Sequence, residues 1–308
     1  MTSRSAYASP TAFRRAITDR LKATADSGPW PLPALQRQFA YDRLLVRLYL
    51  VDDGWVVKGA TALLAREIGV RGTKDIDVYR RSTLDVAEAD LRRAAALDIG
   101  DWCRFTVGAG HGVTPGAPGV RLPVTLRIGN SPWASFAVDL VGEQLVMTGE
   151  PESVPPLARL GIPDVEQRDY KAYPLVDHVA DKIVATSARY GASELPSTRF
   201  KDLLDLVAIV GVAVIGADAQ RRALASEASR RSVALPTHFD VPDRPLWETG
   251  YAREARRSIV PMPAALDDAL DVVRPFVDPL LAESAQGEWD PRTRQWVVRQ
   301  SRTKGLRH

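Results

Sequence analysis

Apolar residues recur at three- and four-residue spacing in two segments near the N-terminus, residues 11–26 and 34–50. This spacing places the apolar side chains on one face of an α-helix, so both segments are predicted to form amphipathic helices. Pro31 and Pro33 separate the two segments, and proline interrupts a continuing helix. The chain is therefore predicted to start with two helices.

The next part of the chain alternates between strand and helix patterns. Short runs at residues 55–57 and 76–79 predict strands, with a helix between them over about residues 61–68 and another after them over residues 84–97. Three further segments show the alternation and β-branched content of strands, with Gly- and Pro-rich loops between them: CRFTV, RLPVTLRIG and SFAVDLVG. The first half is therefore predicted to be mixed α/β.

A proline-punctuated stretch, EPESVPPLARLGIP, is followed by long helical patterns. These cover residues 175–190, 200–210 and 217–232, and further helices are predicted up to about residue 281. The predicted fold class is α+β. An N-terminal domain with a mixed sheet is expected over residues 1–165, and a mainly helical domain over residues 166–308.

Composition narrows the class of protein. A chain of 308 residues with 45% hydrophobic residues can fill a sizeable core. Cys103 is the single cysteine and the four histidines are scattered, so neither a disulfide framework nor a Cys/His zinc site is predicted. No apolar run has the length of a signal-peptide core or a membrane span, so we expect a cytoplasmic protein without membrane contact.

The net charge is only +3, but the basic residues are unevenly placed. The C-terminal tail contains these and no acid: Arg292, Arg294, Arg299, Arg302, Lys304 and Arg307. Such a tail can hold phosphates, and a solvated, frayed terminus explains it equally well. Helical segments add further arginines: Arg221, Arg222, Arg230, Arg231, Arg253, Arg256 and Arg257. These suit a phosphate backbone, although exposed helical arginines are common and support it only weakly.

Three aspartates form a candidate metal site. On a strand, Asp75 and Asp77 lie on one face while Ile76 between them points into the core. Asp139 lies among apolar residues on another predicted strand, where a lone buried charge is costly without a metal or a partner. Carboxylate oxygens suit a hard cation such as Mg²⁺, which phosphoryl transfer commonly uses.

A glycine turn precedes these aspartates. Gly59 permits close approach of the backbone to a phosphate, and Thr61, at the start of the next helix, can offer its hydroxyl and amide. The alternative is structural: Gly59 turns the chain, Thr61 caps a helix and the aspartates are solvated. The glycine turn and the aspartate pair do not decide between these interpretations by themselves.

Four segments in order resemble a known family. KGATAL (residues 58–63), RGTKDID (71–77), DHVADKIVATSARYG and RFKDLLDLV are similar to conserved motifs of the AbiEii/MenT-type nucleotidyltransferases, and WETGY and WDPRTRQW extend the resemblance. It implies a polymerase β-like nucleotidyltransferase fold for the N-terminal domain. Ala60 stands where the family usually has a second glycine, so a weakened or altered phosphate grip is expected.

The resemblance implies roles for the three aspartates. Asp75 and Asp77 hold Mg²⁺ against the β- and γ-phosphates of an NTP, and Asp139 joins a second metal and helps to activate the attacking hydroxyl. Pyrophosphate leaves and a nucleoside monophosphate is transferred, so the protein chiefly positions groups and neutralises charge. Lys58 either points at the nucleotide or is the exposed end of a strand.

Further roles fall on the helical half of the chain. Lys182 is assigned to the triphosphate, and Asp202 to the active site, where it orients Lys182 or the nucleotide. Arg189, seven residues after Lys182, is expected two turns along the same helix face, with a helix-end salt bridge as the alternative. For Asp205, a structural role as a buried charge paired with Arg199 or Lys201 is as good an interpretation as a role in the active site.

The resemblance also implies partners. Its MenT-like members are toxins of bacterial toxin–antitoxin pairs that transfer pyrimidine nucleotides to tRNA acceptor ends, so NTP, tRNA and a cognate antitoxin are expected partners of a monomeric enzyme. Thr73 is a hypothetical phosphorylation site that silences the toxin, because a phosphate there crowds the metal site with negative charge. Alternatives are a protein hydroxyl or small-molecule acceptor, or a non-catalytic binding protein.

Overall fold

The computed structural model describes residues 7–112, 119–143, 145–160, 165–191 and 193–298. These residues divide into two compact units. The first consists of the described residues up to Val146 together with Glu150–Tyr173, and the second of Met147–Gly149 and the described residues from Pro174 onward. The chain therefore passes from the first unit to the second mainly after Tyr173, whereas the predicted domain boundary is at residue 165.

Helices of the first unit follow the apolar spacing closely. Their bounds are α1 (Pro10–Ser27), α2 (Leu32–Val51), α3 (Gly59–Ala65) and α4 (Leu84–Ala95). Helix α1 begins after Ser9, whose side chain accepts a hydrogen bond from the Ala12 amide at 3.1 Å, as an N-cap residue does. Helix α3 is shorter than predicted, because Glu67 adopts a left-handed φ of 61° and the chain turns there.

Within the described residues, eight strands form one sheet of the first unit. They are β1 (Trp55–Lys58), β2 (Asp75–Arg80), β3 (Cys103–Val107), β4 (His111–Gly112), β5 (Val120–Ile128), β6 (Ser131–Val141), β7 (Glu152–Val154) and β8 (Tyr170–Ala172). Their order is β3-β5-β6-β2-β1-β8-β7, with β4 beside β5. Strand β2 runs parallel to β6 and antiparallel to β1, so the predicted mixed sheet is confirmed.

The two faces of this sheet have different surroundings. Alternate residues of β5 from Leu122 to Ile128 are buried, whereas Pro123 and Arg127 between them are exposed. The buried face belongs to one core that also contains residues of the surrounding helices, among them Phe13, Leu44 and Leu91. Side chains on the other face are available for chemistry, and Asp75, Asp77 and Asp139 belong to that face.

The second unit is mainly helical, as predicted. Its helices are α5 (Leu175–Ser187), α6 (Phe200–Val212), α7 (Ala217–Arg231), α8 (Arg244–Ala255) and α9 (Leu266–Leu281). Short strands that the sequence did not predict form two small sheets: β9 (Arg189–Tyr190), β10 (Leu195–Pro196), β11 (Ile215–Gly216), β12 (Glu288–Asp290) and β13 (Gln295–Val297). None of the described helices combines the length and apolar character needed to cross a membrane.

The two tryptophan motifs of the second unit are part of its packing. In WETGY, the Trp247 ring meets Phe200 edge-on at 5.0 Å, and its indole N–H donates to the Ser197 carbonyl at 2.7 Å. In WDPRTRQW, which forms the β12–β13 hairpin, Trp289 and Trp296 both pack against Phe276, at 5.2 and 5.1 Å. Both motifs therefore stabilise the helical unit.

Candidate active site

Three carboxylates lie on adjacent strands of the first unit. In the parallel pairing of β2 with β6, Asp77 is the Cα partner of Asp139. Asp75 precedes Asp77 by two residues on β2, and Ile76 between them is fully buried. Because side chains alternate along a strand, Asp75 and Asp77 project from the face opposite the core. Asp139 lies directly beside Asp77 on that face.

Arg121 lies among these carboxylates and was missed at the sequence level. It is the Cα partner of Asp139 in the antiparallel pairing of β5 with β6. Its guanidinium contacts Asp75 Oδ1 at 2.5 Å and Asp139 Oδ2 at 3.3 Å. One side chain therefore contacts carboxylates from two strands, which establishes that both point to the same place. RLPVTLRIG was predicted to be a strand, but only its register places Arg121 here.

Asp139 is the most enclosed of the three carboxylates. Its side chain is 15% exposed, and Oδ1 is buried with no hydrogen-bond partner. Burial and the nearby Asp77 charge raise the pKa of Asp139, Arg121 opposes both, and the net result is a pKa of about 6. A buried carboxylate oxygen without a partner is costly, and a bound cation removes that cost.

The residues of this site fit a magnesium ion that arrives with a substrate. Among the described residues, no three His, Cys, Asp or Glu side chains are arranged to hold one metal ion together. Mg²⁺ is usually held by one or two protein carboxylates plus phosphate oxygens of the substrate, so a complete protein cage is not required. Asp77 and Asp139, adjacent in register, supply that pair, and the unpartnered Oδ1 of Asp139 is a free ligand atom.

Gly59 packs directly against Asp77. It follows β1 with a φ of 57°, a left-handed conformation that side chains disfavour. A Cβ at this position would lie 2.0 Å from Asp77 Oδ2, which is far inside contact distance. The glycine is therefore required both by the backbone turn and by the place of the carboxylate.

Gly59→Ala is expected to lower the free energy of unfolding by about 1–3 kcal/mol, because alanine takes up a strained φ and its methyl group overlaps Asp77. Denaturant unfolding of both proteins measures this loss. Ala60→Gly in the same turn is the matched control, with an expected change within about 1 kcal/mol. Equal unfolding midpoints for Gly59→Ala and the unmodified protein would contradict the role of Gly59.

Two threonine hydroxyls brace the start of β2. The Thr73 hydroxyl donates to the Asp75 carbonyl at 2.8 Å and accepts from the Asp75 amide at 3.3 Å. Thr61 is buried, and its hydroxyl donates to the same carbonyl at 3.5 Å. Thr73 lies just before β2, because the strand begins at Asp75. Contact of Thr61 with phosphate and phosphorylation of Thr73 stay predictions.

Lys58 ends β1 beside this site. It is the Cα partner of Asp77, and its Nζ lies 4.5 Å from the ring centre of Tyr173. An ammonium over an aromatic face is attracted by the ring's negative π-surface. This contact fixes the side chain, and its proposed contact with a nucleotide stays a prediction.

Lys182 belongs to a buried ionic cluster within the second unit. Its Nζ donates to Asp202 Oδ1 at 2.9 Å and to Asp205 Oδ2 at 2.7 Å, and its side chain is only 4% exposed. Arg199 Nε also contacts Asp202, at 2.5 Å. The contact between Asp202 and Lys182 agrees with an orienting role for Asp202, while Asp205 pairs with Lys182. The triphosphate role of Lys182 stays a prediction.

The expected position of Arg189 on the helix of Lys182 is wrong. Helix α5 ends at Ser187, because Ala188 takes an extended backbone with φ −70° and ψ 153°. Arg189 therefore lies in β9, where its guanidinium donates to the carbonyls of Glu194 at 3.0 Å and Pro242 at 2.6 Å. Arg189 therefore does not lie on the helix face of Lys182, and these two bonds are to carbonyls, not to the carboxylate that a helix-end salt bridge requires.

The helical arginines of the second unit are largely neutralised by neighbouring acids. These pairs are Arg221–Asp218, Arg230–Glu227, Arg231–Glu227, Arg253–Glu254 and Arg257–Glu254. A paired guanidinium contributes less to the field that attracts a phosphate backbone. These helices therefore support RNA binding less than their arginine count suggests. The tail residues Arg299, Arg302, Lys304 and Arg307 lie outside the described residues.

The chain matches a known protein family over most of its length. The match covers residues 43–272, and the family is described as "Nucleotidyl transferase AbiEii toxin, Type IV TA system". Individual curated proteins give no match.

Two solved structures that match this chain are from Mycobacterium tuberculosis and Helicobacter pylori. MenT4, a nucleotidyltransferase toxin from Mycobacterium tuberculosis H37Rv, is 16% identical with a TM-score of 0.54, over 88% of this chain and 89% of that chain. JHP933 from Helicobacter pylori is 13% identical with a TM-score of 0.47, over 80% of this chain and 93% of that chain. At such identity the likeness to MenT4 concerns the fold, and it agrees with the α+β class predicted above.

Proposed function

Because the chain belongs to the AbiEii family of nucleotidyl transferase toxins, we propose that it transfers a nucleoside monophosphate from an NTP to the acceptor end of tRNA, in a reaction that depends on Mg²⁺. Toxin and nucleotidyltransferase are properties of the family. The pyrimidine NTP, the metal and the tRNA acceptor are proposed for this chain. A protein hydroxyl or a small molecule is the alternative acceptor.

The observation that carries the proposal is the register of β2 against β6. It sets Asp77 beside Asp139, and the Arg121 guanidinium links Asp139 to Asp75. Three carboxylates on one sheet face repel one another unless a cation accompanies them. The Arg121 guanidinium offsets part of this repulsion, and a metal–nucleotide complex held by the carboxylates would offset more of it.

In the proposed reaction an acceptor hydroxyl attacks the α-phosphorus of the NTP and pyrophosphate leaves. Asp75, Asp77 and Asp139 would hold Mg²⁺, whose positive charge would act on the phosphate oxygens. Asp139 is also the proposed acceptor of the proton of the attacking hydroxyl, since a carboxylate on this sheet face can act as a general base. The remaining task of the protein is to position the reactants.

Two arginines on the exposed sheet face support a polyanionic acceptor. Arg104 of β3 and Arg127 of β5 are direct Cα partners, and both are exposed. Like charges directly opposite one another on a sheet are destabilising, and an anion between them relieves the repulsion. Within the described part of the chain, no carboxylate forms a salt bridge with either one. They share the sheet face of Arg121, six residues from Arg127 along β5, a distance of roughly 20 Å at strand spacing.

The proposal is tested by incubating the purified protein with each NTP carrying ³²P at the α-phosphate, Mg²⁺, and either total RNA or cell protein. We expect label at the tRNA acceptor end, strongest with a pyrimidine NTP, and none with Asp75→Ala. Arg104→Glu/Arg127→Glu is expected to reduce tRNA labelling at least about tenfold, because each substitution replaces a charge that attracts a phosphate with one that repels it.

Each outcome of this experiment has a separate meaning. Label in protein selects the alternative acceptor. If the double variant loses as much tRNA label as Asp75→Ala does, Arg104 and Arg127 take part in the chemistry. Absence of label in every fraction, while nucleotide still binds, contradicts the enzyme and favours a binding protein.

The proposal extends to regulation and location. The protein acts as a monomer in the cytoplasm, where NTP, Mg²⁺ and tRNA are present, and a cognate antitoxin is its partner. Phosphorylation of Thr73 removes the hydroxyl hydrogen that is donated to the Asp75 carbonyl and adds negative charge beside the carboxylates. Peptide mass spectra of the chain co-expressed with its antitoxin test this point, and an unmodified Thr73 in the silenced protein contradicts it.

A further inference from the structure

Arg121 occupies the position of a cation. Its guanidinium contacts one oxygen of Asp75 at 2.5 Å and one of Asp139 at 3.3 Å, and the side chain is 32% exposed. Both contacts are charge-assisted, which makes them stronger than hydrogen bonds between neutral groups. The two carboxylates therefore have a positive partner from the chain itself.

These contacts compete with a divalent ion. Asp75 Oδ1 and Asp139 Oδ2 are two of the ligand atoms that the carboxylates offer, and both are directed to Arg121. No three described acidic, His or Cys side chains are arranged to hold one ion together. A divalent ion that binds Asp75 and Asp139 therefore competes with Arg121 for the charge of these two carboxylates.

Arg121 retains its charge when it is displaced. Arginine stays protonated under all ordinary conditions, and its planar group binds phosphate as well as it binds carboxylate. A metal ion alone leaves the guanidinium without an anion, whereas a metal ion with a nucleotide brings phosphates for it. Displacement of Arg121 from the carboxylates is thus unfavourable for the bare ion and favourable for the metal–nucleotide complex.

We propose that Arg121 is a positioning residue that couples metal binding to nucleotide binding: it holds Asp75 and Asp139 in the absence of ligand and transfers its contacts to the nucleotide phosphates when the divalent ion enters. This inference rests on the proposed function, because it requires a metal-dependent nucleotide site at these carboxylates. Its consequence is a site that selects the metal–nucleotide complex over the free ion.

Mn²⁺ affinity measures this coupling without any turnover. Free Mn²⁺ is quantified by electron paramagnetic resonance during titration of the full chain, with and without an NTP analogue whose α,β-bridging oxygen is replaced by CH₂. In the unmodified protein we expect the analogue to tighten Mn²⁺ binding at least about tenfold. In Arg121→Gln we expect Mn²⁺ alone to bind about tenfold more tightly. The factor by which the analogue tightens Mn²⁺ binding is expected to shrink by about the same amount, because the two ligands are then less strongly coupled.

Two further variants control the result. Arg81→Gln removes an exposed arginine just after β2 and is expected to leave Mn²⁺ affinity unchanged. Arg121→Lys keeps the charge without the planar fork and is expected to retain part of the coupling. Thermal unfolding of each variant confirms that it is folded before titration.

The possible outcomes separate the two proposals. If Mn²⁺ binds to the unmodified protein and Asp139→Asn abolishes that binding, but Arg121→Gln changes neither affinity nor coupling, then the role of Arg121 is wrong and the metal site stands. Weaker Mn²⁺ binding in Arg121→Gln also contradicts the proposal that the ion displaces Arg121 from the carboxylates. If Mn²⁺ binds no variant even in the presence of the analogue, or binds equally in Asp139→Asn, the proposed function itself fails.

Discussion

Asp139→Asn is expected to lower nucleotidyl transfer at least about 10³-fold while the free energy of unfolding stays equal or rises. Activity falls because the amide removes a negative oxygen ligand and the proposed proton acceptor. Stability does not fall, because burial raises the pKa of this carboxyl to about 6 and its Oδ1 has no hydrogen-bond partner.

The direction of the stability change follows from the protonation states. A carboxyl whose pKa is higher in the folded protein than in the unfolded chain favours folding when it is protonated and opposes folding once it ionises. Above pH 6 the ionised Asp139 therefore reduces stability, and neutral Asn relieves that cost. Arg121 keeps Asp75 as a partner in the variant.

Transfer of ³²P from labelled NTP and denaturant unfolding at pH 8 measure the two effects. Asp53→Asn is the matched control, since the Asp53 side chain is 89% exposed, and we expect neither activity nor stability to change. An active Asp139→Asn would exclude this carboxylate from the chemistry. An inactive variant with a large loss of stability would instead give Asp139 a structural role.

Lys182→Met is expected to lower the free energy of unfolding by about 3–5 kcal/mol. The substitution leaves Asp202 and Asp205 in the interior of the second unit without the ammonium that joins them. Their side chains are 8% and 2% exposed, so water does not replace the lost partner. Denaturant unfolding measures the loss.

Two comparisons test this explanation. Lys201→Met on α6 removes an exposed lysine and is expected to change stability by less than about 0.5 kcal/mol. Lys182→Met/Asp205→Leu is expected to recover part of the loss, because a buried carboxylate that has lost its lysine is replaced by an apolar group. A fully stable Lys182→Met would show that the buried cluster contributes nothing to folding.

The same variant separates two roles of Lys182. Nucleotide binding measured below the unfolding midpoint of Lys182→Met reports on the predicted triphosphate contact alone. Unchanged affinity there assigns Lys182 to the stability of the second unit, and a loss of affinity adds the nucleotide role to it.

Short-range spacing in the sequence was sufficient to predict most elements. The amphipathic helices α1, α2 and α4 and the strands β3, β5 and β6 lie close to their predicted bounds, because apolar periods of 3.6 and 2 residues are local properties. The same local rule placed Asp75 and Asp77 on one strand face around buried Ile76. Strands of two or three residues, such as β7 and β9, are too short to show a period and were missed.

Contacts between distant segments depended on the folded structure. The neighbours of Asp139 follow from strand register, and a shift of one residue in β5 would send Arg121 to the opposite face of the sheet. The partners of Lys182 on α6 and the end of α5 before Arg189 also arise from packing and backbone conformation, which no local spacing encodes. Residue type and period thus predicted which carboxylates belong to the candidate site, whereas the cation placed among them was determined by long-range pairing of the strands.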